Sequence, residues 1–459
     1  MDTIAAIATA QAPSAIGILR ISGERTGEVL SALFVPAAGG NAAELPPRRL
    51  CYGAVRDAAG RVIDYALAVR FSPEHSYTGE DSAELQCHGS PVVLNEALSA
   101  AFAAGARQAL AGEFTKRAFL NGRMDLTEAE AVVDLIDAET AEAARNAAGQ
   151  MDGALRRLAE RAYDALLDVT SRFYAVVDYP DEDIEDASPA EVETELSGTE
   201  QTLSELLSTY ARGRLVKNGV ATAIIGAPNA GKSSLLNRLL GYDRAIVTDI
   251  PGTTRDTVEE KALVGGVLLR LIDTAGLRET ADTVERLGVE RSRRAIEGAD
   301  LILALSDGSR PRNEADRQAI SLAAGSGKPW LLLETKCDLP SAAAPLPSFA
   351  GAQRAPERRL SVSSVTGEGF GALEQAVAEL YPVLPPRGGT LLTNARQADA
   401  VKRALEAVRA ALSALRGGMT PDVVLTEAEA AAGALGELTG RTARDDMVKR
   451  IFERFCVGK

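Results

Sequence analysis

Eight consecutive residues, Gly226-Ala227-Pro228-Asn229-Ala230-Gly231-Lys232-Ser233, match the pattern G-x-x-x-x-G-K-[ST]. The chemistry such a run can do is phosphate binding. Glycines remove Cβ atoms, so backbone N–H groups can converge on phosphate oxygens. A helix beginning at the lysine adds its dipole. The Lys232 ammonium can reach the β and γ phosphates, and the Ser233 hydroxyl can ligate Mg²⁺. Asn229, Ala230, Gly231 and Ser234 belong to the same nucleotide-binding run. Average residue usage gives a chance match at roughly one in 30,000 start positions, so composition alone does not explain it.

Downstream stand Asp273-Thr274-Ala275-Gly276. This D-x-x-G pattern puts a carboxylate near Mg²⁺ and a glycine amide near the γ-phosphate, with Thr274 and Ala275 between them. The intervening run Thr248-Asp249-Ile250-Pro251-Gly252-Thr253-Thr254-Arg255-Asp256 offers threonines that could ligate Mg²⁺ and sense the γ-phosphate. Thr254 is assigned the metal, and Thr248 and Thr253 join the nucleotide site. Thr335-Lys336-Cys337-Asp338 resembles the guanine-reading N-K-x-D pattern, with Thr in place of Asn as in Rho-type GTPases. Asp338 would accept from the guanine N1–H and N2 amine, a donor pair that adenine lacks. Ser363 and Ser364 would supply a second base-contacting loop. Leu277 follows Gly276, where Ras-like enzymes place a water-orienting Gln. Another polar group must then do that work, and the following stretch offers Asp282, Glu285, Arg286 and Glu290.

Elements must hold these residues in place. Ala221–Ile225, Val267–Ile272, Leu301–Leu305, Trp330–Glu334 and Leu360–Val362 read as buried strands of a parallel sheet. The phosphate run falls between the first strand and the helix Ser234–Leu240, the context it requires. Ahead of this module, Ile16–Ile21, Tyr52–Arg56, Val62–Phe71 and Ala83–Cys87 read as strands, the middle two as a hairpin about Asp57–Gly60. From Leu126 the chain turns helical, with Thr127 and Glu130 expected as a capping box. Asp178–Glu195 holds nine carboxylates and no cation, a solvated acidic stretch. After Pro382–Gly389 the helices return. Together these give a multidomain α/β and α+β chain. Residues 1–120 form an N-terminal domain, 121–212 and 381–459 form two parts of one helical domain, and 213–380 form the inserted nucleotide module.

The whole-chain arithmetic narrows the function classes. The 459 residues carry 50 Lys and Arg against 64 Asp and Glu, a net charge of −14, which excludes a surface that grips nucleic acid everywhere. Aromatics are 4% with a single Trp330, too few for ladders of stacked bases. Cys51, Cys87, Cys337 and Cys456 form no C-x-x-C, so neither a disulfide framework nor a zinc knuckle is expected. His88 beside Cys87 lacks further ligands. No apolar run approaches the roughly 18 residues of a membrane span, and Asp2 stands where a signal peptide carries positive charge. The final Cys456-Val457-Gly458-Lys459 departs from a prenylation signal at Gly458 and Lys459. A soluble, cytoplasmic protein is expected.

Taken together, the phosphate loop, T-D-I-P-G-T-T-R-D, D-T-A-G-L-R-E and the ending F-C-V-G-K resemble the MnmE (TrmE) family of tRNA-modifying GTPases. So do G-I-L-R-I-S-G, Y-T-G-E-D-S-A-E-L-Q-C-H-G and G-E-F-T-K-R-A-F-L-N-G-R-M-D-L in the first 126 residues. The resemblance spans the chain. It implies an N-terminal domain similar to folate-binding aminomethyltransferase domains, which dimerises the protein and takes a one-carbon tetrahydrofolate (5-formyl- or methylene-tetrahydrofolate). By motif match Arg20, Glu84, Arg123 and Lys459 would contact it. Arg123 stands where the family often has Lys, and Ala12-Pro13-Ser14-Ala15 replaces a Gly-rich stretch.

The resemblance further implies G domains that meet across a homodimer with K⁺ beside the phosphates, held by Asn229, Thr248, Ile250 and Thr253. Glu285 matches the catalytic Glu. Asp256 and Arg278 match switch residues, and Cys456 matches a cysteine needed for tRNA modification. The implied activity is GTP hydrolysis, driving carboxymethylaminomethyl modification at C5 of the wobble uridine (position 34). It would act as a heterotetramer with the FAD- and NADH-binding flavoprotein MnmG (GidA). The alternative is a switch or assembly GTPase acting in ribosome biogenesis.

Overall fold

The computed structural model describes residues 2–178, 188–241, 260–272, 285–342, 349, 352–382, 388–442, 451–452, 455 and 457–458, with side chains undescribed at 175–178 and 285–291. The chain divides into two compact units. One comprises Met1–Val133, Ala148–Glu205 and Asp399–Lys459; the other comprises Asp134–Ala147 and Leu206–Ala398. Among the described residues no helix is long and apolar enough to cross a membrane.

The first unit carries a seven-stranded sheet: β1 (Ile4–Ile7), β2 (Ser14–Ser22), β3 (Phe34–Pro36), β4 (Cys51–Arg56), β5 (Val62–Phe71), β6 (Ser82–Gly89) and β7 (Arg107–Gln108). Its order is β3-β4-β5-β6-β2-β1-β7, antiparallel except between β1 and β7. The expected hairpin is β4–β5. Its turn closes because Asp57 Oδ1 accepts from the Ala59 and Arg61 amides, 2.9 Å each. The helices Thr26–Leu33 and Pro91–Ala103 share a core with Leu19, Ile21 and Leu85 of the strands. Gly17 lets Leu94 approach closely: a Cβ there would lie 2.4 Å from its Cδ1. Central β2 and β6 place Arg20 opposite Glu84, a register that the N-terminal site depends on.

The same unit holds helices from both sides of the nucleotide module. Ala154–Asp178 packs with Pro421–Thr439. Arg409 pairs with Glu200 at 2.8 Å and Arg416 with Glu193 at 2.8 Å. The expected insertion is therefore present: the helices before and after the module form one discontinuous body. Leu155, Leu166, Val169, Ala400, Leu405, Val408, Ala411 and Leu412 are all buried, as their helical spacing requires.

The start of helix Leu126–Ile136 corrects one expectation. Asp125, not Thr127, caps it. Asp125 Oδ1 accepts from the Glu128 amide at 2.8 Å, and Glu128 Oε2 accepts from the Asp125 amide at 2.8 Å. A carboxylate two residues earlier completes the box, and the Thr127 hydroxyl joins it by donating to Asp125 at 2.7 Å. The cap has a cost. Burial pushes the Asp125 carboxyl up to about 6, and its Oδ2 is buried with no hydrogen-bond partner. Since the folded value lies above the unfolded one, the folded state binds more protons between the two. The stability contributed by this group is full below about pH 4 and is lost as pH rises through 6. Asp125→Asn keeps the cap acceptor and removes the buried charge. Its expected effect is a melting temperature ~3 °C higher at pH 7–8 and unchanged at pH 4, read by calorimetry; the same gain at both pH values would rule this account out.

The second unit is built on a six-stranded sheet: β8 (Val220–Gly226), β9 (Glu260–Val264), β10 (Val267–Ile272), β11 (Leu301–Asp307), β12 (Trp330–Thr335) and β13 (Arg358–Val362), in the order β13-β12-β11-β8-β10-β9. Each expected strand is present, β10 with the expected bounds and the others longer by one or two residues. β13, expected as buried, is an edge strand with only Val362 buried, because among the described residues nothing pairs with its outer side. The sheet is not wholly parallel, however: β9 runs antiparallel to β10. Its Glu-Lys-Ala-Leu-Val lies at an edge with alternating exposure, so it lacks the continuous apolar run that marks a buried strand. Leu303, Leu305, Leu331 and Leu333 pack toward one face, and Ile302, Ala304, Trp330 and Leu332 toward the other. The doubly covered sheet delivers the ends of β8, β11 and β12 to one edge, where the candidate residues lie.

Candidate functional site

The phosphate loop leaves β8 at Gly226. A Cβ at Gly226 would lie 2.8 Å from the Leu305 carbonyl, so only glycine lets the turn start beside β11. Asn229 and Gly231 adopt left-handed backbone, with φ of +60° and +91°. Asn tolerates that region better than most residues, and Gly enters it without strain. The helix Lys232–Gly241 then begins, anchored by buried Leu235, Leu236 and Leu239. Lys232 Nζ donates to the carbonyls of Gly226 at 2.9 Å and Ala227 at 2.8 Å. Its ammonium is thus folded over the loop's mouth. Burial pulls its pKa below the ordinary lysine value, so an arriving phosphate meets a poorly hydrated cation. Ser233 and Ser234 are exposed at the helix start, where a hydroxyl can face a metal and the open amides can face phosphate.

The end of β12 meets this loop. Thr335 Oγ1 donates to the Ala230 carbonyl at 2.8 Å, and its distance to the Ser306 carbonyl is 3.3 Å. A hydroxyl therefore ties the Thr335–Asp338 segment to the phosphate loop in a chain without the Asn amide of N-K-x-D. Lys336 is in the left-handed region, φ +62°, and its Nζ pairs with Asp307 Oδ2 at 2.7 Å. Asp338 follows in the same turn, closed by the Leu339 amide on the Lys336 carbonyl at 3.0 Å. In the neighbouring loop Ser363 is buried. Its Oγ accepts from the amides of Val365 at 3.3 Å and Thr366 at 3.2 Å, leaving Ser364 half-exposed.

In the first unit the structure brings Arg20 and Glu84 together. Arg20 Nε donates to Glu84 Oε1 at 2.9 Å, and a guanidinium NH donates to the Gly458 carbonyl at 3.4 Å. The guanidinium also lies 5.8 Å from the Tyr77 ring centre and 5.7 Å from that of Phe114. The segment carrying Gly458 is held by a bridge between Val457 and Ala111. Arg123 is exposed, and its Cγ lies 3.2 Å from where a Gly79 Cβ would stand, which places it beside the Tyr77–Glu80 loop. Beneath that loop Arg117 is buried, paired with Glu80 at 3.0 Å, Asp2 at 2.7 Å and Glu113 at 3.0 Å.

Comparison with known proteins assigns both halves. The model for the GTP-binding protein TrmE N-terminus matches residues 3–123, and that for the MnmE helical domain matches residues 126–456. The chain belongs to the MnmE family. It is 44% identical over 467 residues to the tRNA modification GTPase MnmE of Roseiflexus sp. (strain RS-1), covering 100% of this chain and 99% of that one. The proteins of the same name from Akkermansia muciniphila and Chloroflexus aurantiacus are 43% and 42% identical. Each match covers 100% of this chain, and 99% and 100% of theirs.

For a member of the MnmE family, the expected site residues divide into two groups. Asn229, Ala230, Gly231, Lys232, Ser233, Ser234, Thr335, Lys336, Asp338, Ser363 and Ser364 are described, and so are Arg20, Glu84 and Arg123. Thr248, Ile250, Thr253, Thr254, Asp256, Asp273, Thr274, Ala275, Gly276, Arg278, Cys456 and Lys459 lie outside the described residues. Glu285 is the first residue of the helix Glu285–Gly298, and its side chain is not described. β10 ends at Ile272, so the strand delivers the chain directly to Asp273.

Sequence reading missed three neighbours of these sites: Tyr77, Phe114 and Asp307. Tyr77 and Phe114 stand inside quoted motifs, but nothing in their spacing turns a ring toward Arg20. Asp307 ends a strand that is apolar apart from Ser306, a signal that could have singled it out. Cys87 and His88 are engaged separately. Cys87 is buried, and burial pushes its thiol up to about 12, while His88 Nδ1 sits 2.8 Å from Asp64. Among the described residues no cluster of His, Cys, Asp and Glu could hold a metal. The oxygen donors that fit Mg²⁺ are instead hydroxyls such as Ser233, to be joined by phosphate, the usual partial set for that ion.

Proposed function

We propose that this chain, a GTPase of the tRNA-modifying MnmE family, runs a potassium-dependent GTP cycle. With the flavoprotein MnmG (GidA), that cycle serves carboxymethylaminomethyl modification at C5 of the tRNA wobble uridine (position 34). The observation that carries the reading is the Thr335–Ala230 hydrogen bond of 2.8 Å, which joins a base-reading strand end to a phosphate loop. A guanine nucleotide spans those two points.

The residues divide the work as follows. Backbone amides from Asn229 to Ser234 cradle the phosphates, and Lys232 exchanges its two carbonyl partners for charge-assisted bonds to phosphate oxygens. Ser233, with Thr254, would hold Mg²⁺, which supplies charge neutralisation between the β and γ phosphates. Asp273, Thr274, Ala275 and Gly276 would line the γ-phosphate side. Asp338 reads the guanine edge, with Lys336 along the ring and Ser363 and Ser364 in the loop beside it. Asn229, with oxygens of Thr248, Ile250 and Thr253, would hold K⁺; the exposed, left-handed Asn229 stands at the loop's outer rim, open to such an ion. Glu285 would orient the attacking water, a role Leu277 cannot fill.

In the first unit, Arg20, Glu84, Arg123 and Lys459 would bind a one-carbon tetrahydrofolate. The Arg20–Glu84 pair, with the Tyr77 and Phe114 rings near the guanidinium, supports that role, since a flat heterocycle with donors and acceptors at its edge suits charged groups beside aromatic rings. Cys456 would take part in the modification step, and a homodimer would bring two G domains together.

The test is steady-state GTP hydrolysis in KCl against NaCl at equal ionic strength, with ATP as control. Stimulation by K⁺ alone is expected, falling by about 10²-fold or more in Asn229→Ala and Glu285→Ala. Equal rates in both salts would remove the potassium mechanism. If residues 1–120 also failed to bind folate and the chain co-sedimented with ribosomes, the assembly-GTPase reading would replace this one.

A further inference from the structure

Asp307 is a carboxylate at the end of a strand whose other positions are apolar apart from Ser306, and it is 3% exposed. Such a group is costly to bury unless it is paired. Its partners are specific. Ser309 donates to Oδ1 from its amide at 3.0 Å and its hydroxyl at 2.6 Å, which fixes the carboxylate plane. Lys336 Nζ pairs with Oδ2 at 2.7 Å, and Arg310 Nε lies 3.6 Å from the same oxygen. Against the desolvation of burial, the Lys336 ammonium and the Ser309 hydroxyl and amide hold the Asp307 carboxyl below the usual carboxylate range. Arg310 has a second anchor, Asp316 at 2.7 Å. Lys336, half-exposed, has Asp307 as its recorded partner.

The backbone makes this pairing deliberate. Asp307 faces Thr335 in the β11–β12 register. The left-handed φ of +62° at Lys336, uncommon for a residue with a Cβ, redirects its side chain from the strand end toward β11. Strain of that kind persists only where the surroundings over-determine it. Thr335 holds one end of the segment on the phosphate loop, and Asp307 holds the lysine head. The four-carbon stem is thus tied at both ends, by its backbone at Thr335 and by its ammonium at Asp307.

We propose that Asp307 is a positioning residue for nucleotide recognition. By clamping the Lys336 ammonium it lays the lysine stem along the face of the guanine ring, so the entropy of ordering that side chain is spent before the nucleotide arrives. Asp307 touches no nucleotide atom itself. The inference rests on the reading of Thr335–Asp338 as the guanine-binding strand end.

The experiment is calorimetric titration of GDP into the full-length protein and three variants, plus one double variant. Asp307→Asn keeps an acceptor for Ser309 and loses the charge; it is expected to weaken GDP about tenfold. Lys336→Met keeps the stem and loses the ammonium, and gives a similar loss; Ser309 and Arg310 still hold the Asp307 carboxylate, so it stands in should Asp307→Asn fold poorly. The double variant should be no weaker than either single by more than about twofold, since both remove one clamp. A purely structural Asp307 would instead give losses that multiply to about a hundredfold, and that result overturns the proposal. Asp338→Ala separates the two levels. If it and Lys336→Met leave GDP binding intact, the base-site reading fails and the clamp with it. If both weaken GDP while Asp307→Asn does not, the clamp alone fails.

Discussion

Lys232→Ala should lower GTP turnover at saturating nucleotide by about 10²–10³-fold, the scale set by removing one preorganised donor from developing phosphate charge. The reasoning starts from the ground state. Lys232 holds the Gly226 and Ala227 carbonyls at 2.9 and 2.8 Å, and burial already disfavours its charge. Phosphate relieves that penalty, and more so as charge builds on the transferring group. The interaction therefore strengthens toward the transition state and appears in kcat, not only in KM. Arg at this position is no rescue, because its planar fork cannot sit as a point charge between two carbonyls inside the loop. Single-turnover hydrolysis with nucleotide in excess of its Kd checks this. A variant that lost only affinity, with kcat intact, would show that Lys232 binds without stabilising the transition state.

How far each feature could be read from the sequence followed how local its cause was. The phosphate loop was plain because its chemistry needs residue types at fixed spacing, flanked by a buried strand and a helix. β8, β10, β11 and β12 were plain because a doubly covered strand is a continuous apolar run, whereas β13, an edge strand, is largely exposed and showed only through Leu360 and Val362. β9 was not, since Glu260–Val264 is an edge strand whose exposed residues alternate. The cap of Leu126–Ile136 was placed two residues late because Asp125 and Thr127 both precede a Glu at the right offset, and only geometry chooses between them. Asp307–Lys336 and Arg20–Gly458 span 29 and 438 residues. No periodicity encodes such contacts; they come from strand register and from where a distant segment docks.

The Arg20–Gly458 contact makes the largest expected effect in the first unit testable. Arg20→Ala should lower tetrahydrofolate affinity by at least a hundredfold. The guanidinium is 22% exposed and faces a Glu84 carboxylate that is 19% exposed, so truncation strands a mostly buried acid opposite an apolar methyl. Each charge-assisted hydrogen bond that the guanidinium would give the ligand is worth about 1.5–3 kcal/mol, so losing two of them reaches two decades of affinity. Arg20→Lys should recover little. An ammonium can satisfy Glu84 or the Gly458 carbonyl, but it lacks the planar fork that meets both while lying between two rings. Gly458 gives an independent handle on the same geometry. Its φ is +100°, and a Cβ there would lie 2.4 Å from the Ile7 carbonyl oxygen, so no L side chain fits the docked segment. Gly458→Val should therefore lift residues 457–458 off β1 and remove one acceptor from Arg20 while leaving Glu84 paired. That loss is worth about 1.5 kcal/mol, or roughly tenfold in folate affinity. Equilibrium titration of tetrahydrofolate into the three variants ranks them: Arg20→Ala weakest, Arg20→Lys close to it, Gly458→Val the mildest. Wild-type affinity in Gly458→Val would mean that the docked segment is no part of the pterin-facing site. Wild-type affinity in Arg20→Ala would take the folate site away from the Arg20–Glu84 pair altogether.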